Sequence, residues 1–383
     1  MVDGDYNLYA RGSRTLRWLD EYAGIPLSLV VGLARPSRNL PREIQTIGIL
    51  MLGVIGDTLL ASAILPDLRR AFPRARIVAF IAHSNRDTVE LLEEIDAVFV
   101  IPVTRPLTAI GILRRQPADL LIDIGQWARI SALLAALSSA RYTVGFKTMG
   151  QHRHYAFDAV VSHSGERHEI DNFRALLSPL GIDAVGAPPL RREVLDEARM
   201  LGPLNSVIIH PWAAGYKHNW REWRTERWVD FVRDILTDGY DIVITGGPSD
   251  FPRAKALASL IGRSSIEIAT GTASLRQTAV LLARAAGVVS VNTGIMHLAA
   301  LVNAPLVALH GPTNPKRWGP INPNAIILGP GPEEGGAFLN LGFEYPVSPP
   351  DCMDKISVAE VLHACRTVIE KSKSSKSKIE SSS

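Results

Sequence analysis

Two turns in the second half of the chain combine small residues with side chains that could bind an anion. In HPWAAGYKHNW, small residues open a loop and Lys217 follows, where it could meet a diphosphate as a mobile positive charge. In SVNTGIMH, a helix begins around Gly294, so its first backbone N–H groups would point outward and favour an anion. Thr293 could donate its hydroxyl there, and His297 falls one turn into the helix, within reach of the same ligand.

A third turn, LHGPTNP, follows the next predicted strand and places Gly311, Pro312 and Thr313 beside the second turn. Three such turns on neighbouring strand ends of one domain predict a diphosphate-binding site. Taken singly, each feature also has an ordinary explanation. Lys217 could equally be a surface lysine, and an isolated helical histidine such as His297 is usually structural.

The first half of the chain contains one comparable turn, GVIGDT. Gly53 and Gly56 allow a sharp backbone turn and leave room for a ligand. Asp57 would then stand near a helix N-terminus at the ligand-binding edge, but an aspartate there is also a common N-cap. The spacing alone leaves both alternatives open. The chain has no Asp-x-Asp, HExxH, Walker A or GxSxG motif, so we expect no metal site.

These turns need strands that bring them to one edge of a sheet. Ile47–Leu52 is a continuous apolar run, as in a parallel strand covered on both faces, and helically spaced apolar residues follow it. Similar short strands are predicted at residues 77–81, 97–101, 120–124 and 142–145, and again at 206–210, 241–245, 287–291 and 305–309. The pattern predicts an α/β protein of two doubly wound, Rossmann-like domains facing a cleft.

The predicted boundaries follow from Pro, Gly and charge content. We predict an arm at residues 1–43, a Rossmann-like domain at 44–180, a linker at 181–203 and a second Rossmann-like domain at 204–345. A final helical segment at 346–370 and a disordered Lys/Ser-rich tail at 371–383 complete the chain.

Composition narrows the possible partners and compartment. The formal net charge is +3, which is too weak to indicate nucleic acid binding. Two cysteines, Cys352 and Cys365, form no disulfide framework, which fits a reducing cytosol. The arm has six arginines between Arg11 and Arg42, around the apolar run Ala23–Ala34, which is too short to span a bilayer. It is either an interfacial segment on anionic lipid or an arm packed on the domain surface.

Three segments together resemble the ADP-heptose:lipopolysaccharide heptosyltransferases, glycosyltransferase family 9. They are IGILMLGVIGDTLLASAILPDLRRAFP, HPWAAGYKHNW and VSVNTGIMHLAALVNAPLVALHGPTNP, and the resemblance covers residues 46–328. It implies a GT-B fold and an inverting, metal-independent transfer. The N-terminal domain would hold a lipopolysaccharide core or related glycan acceptor, and the C-terminal domain a nucleotide diphosphate sugar, ADP-linked in this family. No cofactor is implied.

The resemblance also implies roles for individual residues. Asp57 corresponds to the catalytic base and Lys217 to a phosphate contact. The donor site would further include Asn292, Thr293, Gly294, His297, Gly311, Pro312, Thr313 and, after Gly246 and Gly247, the nucleoside contact Asp250. The family motif is D-[ST]-G-x-x-H, so Asn292 replaces an aspartate and keeps hydrogen bonds while losing a charge. Trp212 likewise stands where small residues are commoner.

Two other functions fit the same fold. A nucleotide-sugar epimerase would need no acceptor, and a non-catalytic nucleotide-sugar-binding protein would tolerate Asn292. If the chain is the transferase, its partners are a nucleotide-sugar donor and a glycolipid or oligosaccharide acceptor. We then expect a cytoplasmic enzyme at the inner face of the cytoplasmic membrane.

Overall fold

The computed structural model describes residues 18, 20–36, 38–342, 344–348 and 350–380. The chain divides between Leu190 and Arg191 into two compact units, called here the N-terminal and C-terminal units. Each unit contains a six-stranded sheet in which all strand pairs are parallel. The predicted pair of doubly wound α/β domains is confirmed.

In the N-terminal unit the strands lie in the order β3-β2-β1-β4-β5-β6. They are β1 (Thr46–Met51), β2 (Arg76–Ile81), β3 (Ala97–Val100), β4 (Leu120–Asp123), β5 (Tyr142–Lys147) and β6 (Ala159–Ser162). The helices are α1 (Gly24–Ala34), α2 (Ile55–Ala61), α3 (Ile64–Ala71), α4 (Arg86–Val89), α5 (Pro106–Arg115), α6 (Arg129–Leu137) and α7 (Glu169–Ala175). The strand order reverses between β1 and β4, the position at which such sheets bind ligands.

The C-terminal unit repeats this topology, with the order β12-β11-β10-β7-β8-β9. Its strands are β7 (Ser206–His210), β8 (Asp241–Ile244), β9 (Ile266–Ile268), β10 (Gly287–Val291), β11 (Leu306–Leu309) and β12 (Ile326–Leu328). Its helices are α8 (Arg192–Leu201), α9 (Thr225–Thr237), α10 (Phe251–Ile261), α11 (Leu275–Arg284), α12 (Gly294–Leu301), α13 (Pro315–Trp318) and α14 (Val358–Glu380). The reversal here falls between β7 and β10.

The central strands are buried on both faces because their side chains form continuous apolar runs. The sequence did not indicate β6, β9 and β12, which lie at sheet edges, are three or four residues long and stay partly exposed. Apolar runs of only three residues, as in β6 and β12, are too short to indicate a strand by their periodicity.

The predicted linker at 181–203 is divided between the two units. Residues before 191 belong to the N-terminal unit, where Gly186 N–H donates to Asp67 at 2.7 Å. The second half forms α8, whose Val194 and Ala198 are buried one helical turn apart and which packs against α11. An amphipathic spacing of this kind favours a packed helix over a linker.

The tail also differs from the sequence prediction. The chain stays helical as far as Glu380, whereas residues 371–383 were predicted to be disordered. The start of α14 is anchored by buried residues such as Val361 and Ile369, and Lys373 donates to the Tyr240 hydroxyl at 2.9 Å. Helix propagation from a packed start costs less than nucleation, which extends the helix into a polar sequence. Residues 381–383 lie outside the described residues.

The arm packs on the N-terminal unit through α1. Asp20 pairs with Arg129 at 2.9 Å, and Arg35 pairs with Asp158 at 3.0 Å. A Cβ at Gly32 would lie 2.2 Å from the Tyr155 carbonyl oxygen, so only glycine allows this approach. The packed-arm alternative is therefore observed for the described residues, while Arg11 and the other arginines before residue 18 lie outside them. None of the helices that the structure describes is long and apolar enough to cross a bilayer.

A fully buried ion pair stabilises this same region. Arg153 pairs with Asp123 at the end of β4, and its Nη2 also donates to the Ser131 hydroxyl at 2.9 Å. Burial raises the pKa of Asp123 and lowers the pKa of Arg153, and each partner's charge opposes that effect. Each buried charge is therefore stabilised by the opposite charge of its partner.

We expect Arg153→Met to lower the free energy of unfolding by about 3–5 kcal/mol, because it leaves Asp123 buried without its countercharge. Arg141→Met is the matched control, since Arg141 pairs with Asp119 at 3.1 Å on the surface. That change should cost at most about 1 kcal/mol. Urea unfolding of both variants measures the difference, and equal losses would contradict the prediction.

Candidate functional site

The Asp57 carboxylate lies in the first turn of α2, directly after β1. The helix N-cap is Val54, so Asp57 is not the N-cap residue that the sequence left as an alternative. The turn is tight: a Cβ at Gly53 would lie 3.1 Å from the Asp57 Cβ. Asn85, which follows β2, holds the turn by donating to Thr58 Oγ1 at 2.8 Å and to the Met51 carbonyl at 3.2 Å. The first turn of a helix also favours a negative charge.

A second polar group at this edge of the N-terminal sheet was not predicted. The buried carboxylate of Glu169 contacts Gln126 Nε2 at 2.5 Å, His163 Nε2 at 2.9 Å and Asn172 Nδ2 at 3.1 Å. Gln126 follows β4 and His163 follows β6, so their proximity depends on strand order. Helix α7, which begins with Glu169, packs against α2.

In the C-terminal unit, Lys217 follows β7 in a left-handed conformation with φ of 45°. Its Nζ lies 3.8 Å from the centre of the Trp220 ring, and the rings of Tyr216 and Tyr345 lie near the same atom. Nζ also donates to the Pro346 carbonyl at 3.2 Å. Burial lowers the pKa of Lys217. Lys217 is therefore held in an aromatic cluster formed by Tyr216, Trp220 and Tyr345, and is not an ordinary surface lysine.

The turn after β10 carries Asn292, Thr293, Gly294 and His297. Thr293 is the N-cap of α12 with an extended backbone, and its hydroxyl is buried without a hydrogen-bond partner among the described residues. Gly294 begins the helix, and His297 is buried one turn later. The expected helix start is confirmed.

The turn after β11 touches this turn directly. Thr313 Oγ1 lies 3.1 Å from His310 Nδ1, and Asn292 Nδ2 lies 3.3 Å from both ring nitrogens of His310. Gly311 and Pro312 are covered by a later segment, since their carbonyls accept from the N–H groups of residues 337 and 339 at 2.9 and 2.8 Å. Asn292 and Thr313 therefore contact the same histidine ring, although 21 residues separate them in sequence.

Asp250 follows β8 and binds its own turn, accepting from the Gly247 N–H at 3.0 Å. Its carboxylate lies 3.8 Å from Arg253, which also pairs with Glu222. Burial would raise the pKa of Glu222, but hydrogen bonds from Arg253 and His218 lower it overall. Glu222 also accepts from the Ala213 N–H at 3.1 Å, which joins the Lys217 loop to α10.

The predicted residues of the C-terminal unit therefore follow four adjacent strands, in the order β11, β10, β7 and β8. The sequence missed His210, at the end of β7, which contacts Thr245 Oγ1 at 3.0 Å. Burial lowers the pKa of His210 to about 4, so the ring is neutral at pH 7. It also missed Glu222 and His310. His210 and His310 stand at or directly after a strand end, which the sequence indicates, but the contact partners of all three residues could not be predicted from it.

Two Rossmann-like units of this topology have the GT-B fold. A family model described as glycosyltransferase family 9 (heptosyltransferase) matches residues 110–337. The chain belongs to this family and is a glycosyltransferase.

Relatives and solved structures agree with this assignment. Lipopolysaccharide heptosyltransferase 3 of Escherichia coli is 26% identical over 302 residues, which cover 71% of this chain and 85% of that protein. The structure of E. coli ADP-heptose lps heptosyltransferase II superposes with a TM-score of 0.70 at 17% identity, over 86% of this chain and 99% of that one. E. coli heptosyltransferase WaaC with ADP gives a TM-score of 0.67 at 19% identity, over 84% and 99%. At these identities, the two structures support the fold alone.

Proposed function

We propose that this protein transfers a heptose from ADP-heptose to a lipopolysaccharide core or related glycan, with inversion and without a metal or cofactor. The observation that carries the proposal is the turn after β10, where the unpartnered Thr293 hydroxyl stands at the start of α12 beside Asn292. The names of the E. coli relatives supply the donor and acceptor class. The sequence left an epimerase and a non-catalytic binding protein as alternatives, and membership of the glycosyltransferase family favours the transferase.

In the proposed reaction, an acceptor hydroxyl attacks the anomeric carbon while Asp57 takes its proton as a general base. The bond from that carbon to the ADP oxygen breaks, and ADP leaves with an added negative charge. Lys217 and the N–H groups at the start of α12 stabilise this charge. Asp250 binds the nucleoside, and His297, Gly311, Pro312 and Thr313 complete the donor site.

Lys217 must leave the Trp220 ring to reach a phosphate, since its Nζ contacts that ring and the Pro346 carbonyl in this structure. A charge-assisted phosphate contact is stronger than a cation–π contact at a partly exposed site. We therefore propose that donor binding draws Lys217 out of the aromatic cluster.

We also propose that the protein works at the cytoplasmic face of the inner membrane, where α1 contacts lipid. On α1, Leu29, Val30 and Leu33 are between 41% and 79% exposed, and Trp18 and Tyr22, which precede the helix, are 60% and 64% exposed. Arg35 and Arg38 do not serve this contact, because they bind Asp158 and the Ala140 carbonyl. For the described part of the arm the attraction is therefore mainly apolar, with exposed Arg42 as its one other arginine.

The first test incubates ADP-heptose with and without a lipopolysaccharide acceptor and measures ADP release. Acceptor-dependent release supports the transferase, whereas an epimerase would act without acceptor and release no ADP, and a binding protein would bind ADP without turnover.

In this assay Asp57→Asn should lower turnover by roughly 10²–10⁴-fold, the usual contribution of a general base, with ADP affinity unchanged. Asp87→Asn is the control, since Asp87 also lies in the first turn of a helix, α4. Near-normal turnover of the Asp57 variant would rule it out as the base.

Lys217→Ala should weaken ADP binding by about 1.5–3 kcal/mol, or roughly 10- to 150-fold, because a charged phosphate contact is lost. Adenosine lacks phosphate, so its affinity should change less than about twofold. Lys255→Ala is the matched control, because Lys255 also lies over an aromatic ring, that of Phe251, at 4.7 Å. Calorimetric titration measures all three proteins, and equal losses for ADP and adenosine would show that Lys217 does not touch phosphate.

The double substitution Val30→Glu and Leu33→Glu should lower sedimentation with anionic vesicles by roughly tenfold or more, since burying one such side chain is worth about 1.5–3 kcal/mol. Leu107→Glu is the control, because Leu107 is exposed on α5 of the same unit. Substitution is preferable to removal of the arm, which would break the Asp20–Arg129 and Arg35–Asp158 pairs. Equal sedimentation of wild type and double variant would refute the lipid contact.

A further inference from the structure

The amide of Asn292 is held in one orientation. Asn292 is buried just after β10, and its Nδ2 donates to the Trp318 carbonyl at 3.1 Å while lying 3.3 Å from the ring nitrogens of His310. A backbone carbonyl can only accept a hydrogen bond, so it identifies which end of the amide faces it. Nδ2 is therefore used inside the protein, and Oδ1 points to the other side of the amide group.

Two neighbouring polar atoms are left without protein partners. Asn292 Oδ1 accepts no hydrogen bond from any residue that the structure describes, and the same holds for the buried Thr293 hydroxyl. Buried polar groups in folded proteins normally have a partner, so an exception at a strand end needs an explanation. A ligand hydroxyl that donates to Asn292 Oδ1 would supply the missing partner of the amide.

The groups that orient the amide are themselves fixed. The His310 ring contacts Thr313 Oγ1 at 3.1 Å, and its backbone N–H donates to the Leu328 carbonyl at 2.7 Å. The backbone of Gly329 packs closely against the same residue, because a Cβ there would lie 1.6 Å from the His310 carbonyl oxygen. The indole of Trp318 donates to the Asn340 carbonyl at 3.0 Å. Neither group can follow the Asn292 amide if it rotates.

We propose that His310 is a positioning residue, which together with the Trp318 carbonyl orients Asn292 so that its Oδ1 accepts a hydrogen bond from a hydroxyl of the donor sugar. This inference rests on the proposed transfer from a nucleotide sugar. A carboxylate at position 292 would place an oxygen against the Trp318 carbonyl and repel it. The geometry therefore explains why an amide, and not an aspartate, fits this site. The Trp318 carbonyl requires a hydrogen-bond donor at position 292, which a carboxylate lacks.

The test compares His310→Phe, which keeps the ring and removes both nitrogens, with His310→Gln, which keeps a hydrogen-bonding group. We expect His310→Phe to raise the KM for ADP-heptose about tenfold with kcat changed less than about threefold, because the amide can then rotate. The Kd for ADP, which lacks the sugar, should stay within about twofold. His310→Gln should recover most of the loss. If His310→Phe does not fold, the comparison of Asn292→Asp with its control tests the same orientation of the amide.

Asn292→Asp supplies a second comparison, with Asn322→Asp as its matched control. Asn322 is also buried, and its Nδ2 donates to the Ala304 carbonyl at 3.0 Å. Both changes should lower the melting temperature. Only Asn292→Asp should weaken the binding of ADP-heptose relative to the binding of ADP, by about tenfold. An unchanged ratio in Asn292→Asp and His310→Phe, or an equal change in Asn322→Asp, would overturn the inference. If the wild-type protein neither binds ADP nor releases it from ADP-heptose, the proposed function itself fails, which is a distinct result.

Discussion

Parallel strand pairing is the constraint on which both candidate sites depend. In a parallel sheet all carboxyl ends lie at one edge, and the reversal of strand order separates the turns there enough to admit a ligand. In the C-terminal unit β7 and β10 are neighbours. The turns that follow them carry Lys217 and Asn292, which are 75 residues apart in sequence. In the N-terminal unit it places the turn with Asp57 at the corresponding position. Each sheet thus brings residues that are distant in sequence to one edge.

The proposed donor site combines fixed and movable parts. Asn292, His310 and Thr313 form a buried set of contacts between two turns, and Glu222 ties the Lys217 loop to α10. Such contacts orient polar groups before a ligand arrives, so less ordering is required on binding. In the proposed reaction Lys217 differs, because its flexible chain would let the charge exchange its present partners for a phosphate. Rigid turns and one mobile cation suit a ligand whose diphosphate gains charge as it leaves.

Ion pairs fix helix α1 to the rest of the N-terminal unit. Arg129 binds Asp20 before α1, and nearby Arg153 binds Asp123 at the end of β4. Helix α1 is consequently part of the folded unit and not an attached tail. Any surface that α1 contacts would be held in a fixed orientation relative to β1 and Asp57, which suits an acceptor confined to a lipid surface.

The sequence by itself determined the fold class and the positions of the ligand-binding turns, because apolar runs and glycine-rich turns are local patterns. It also carried the family motifs around Asp57, Lys217 and Asn292. Only the tertiary structure showed that α8 fills half of the predicted linker, that the tail continues α14, and that Val54 rather than Asp57 is the N-cap of α2. The contacts of Asn292 with His310 and of Lys217 with Tyr345 were equally invisible. They join residues on different turns, and strand order and packing, which local periodicity does not encode, bring those turns together.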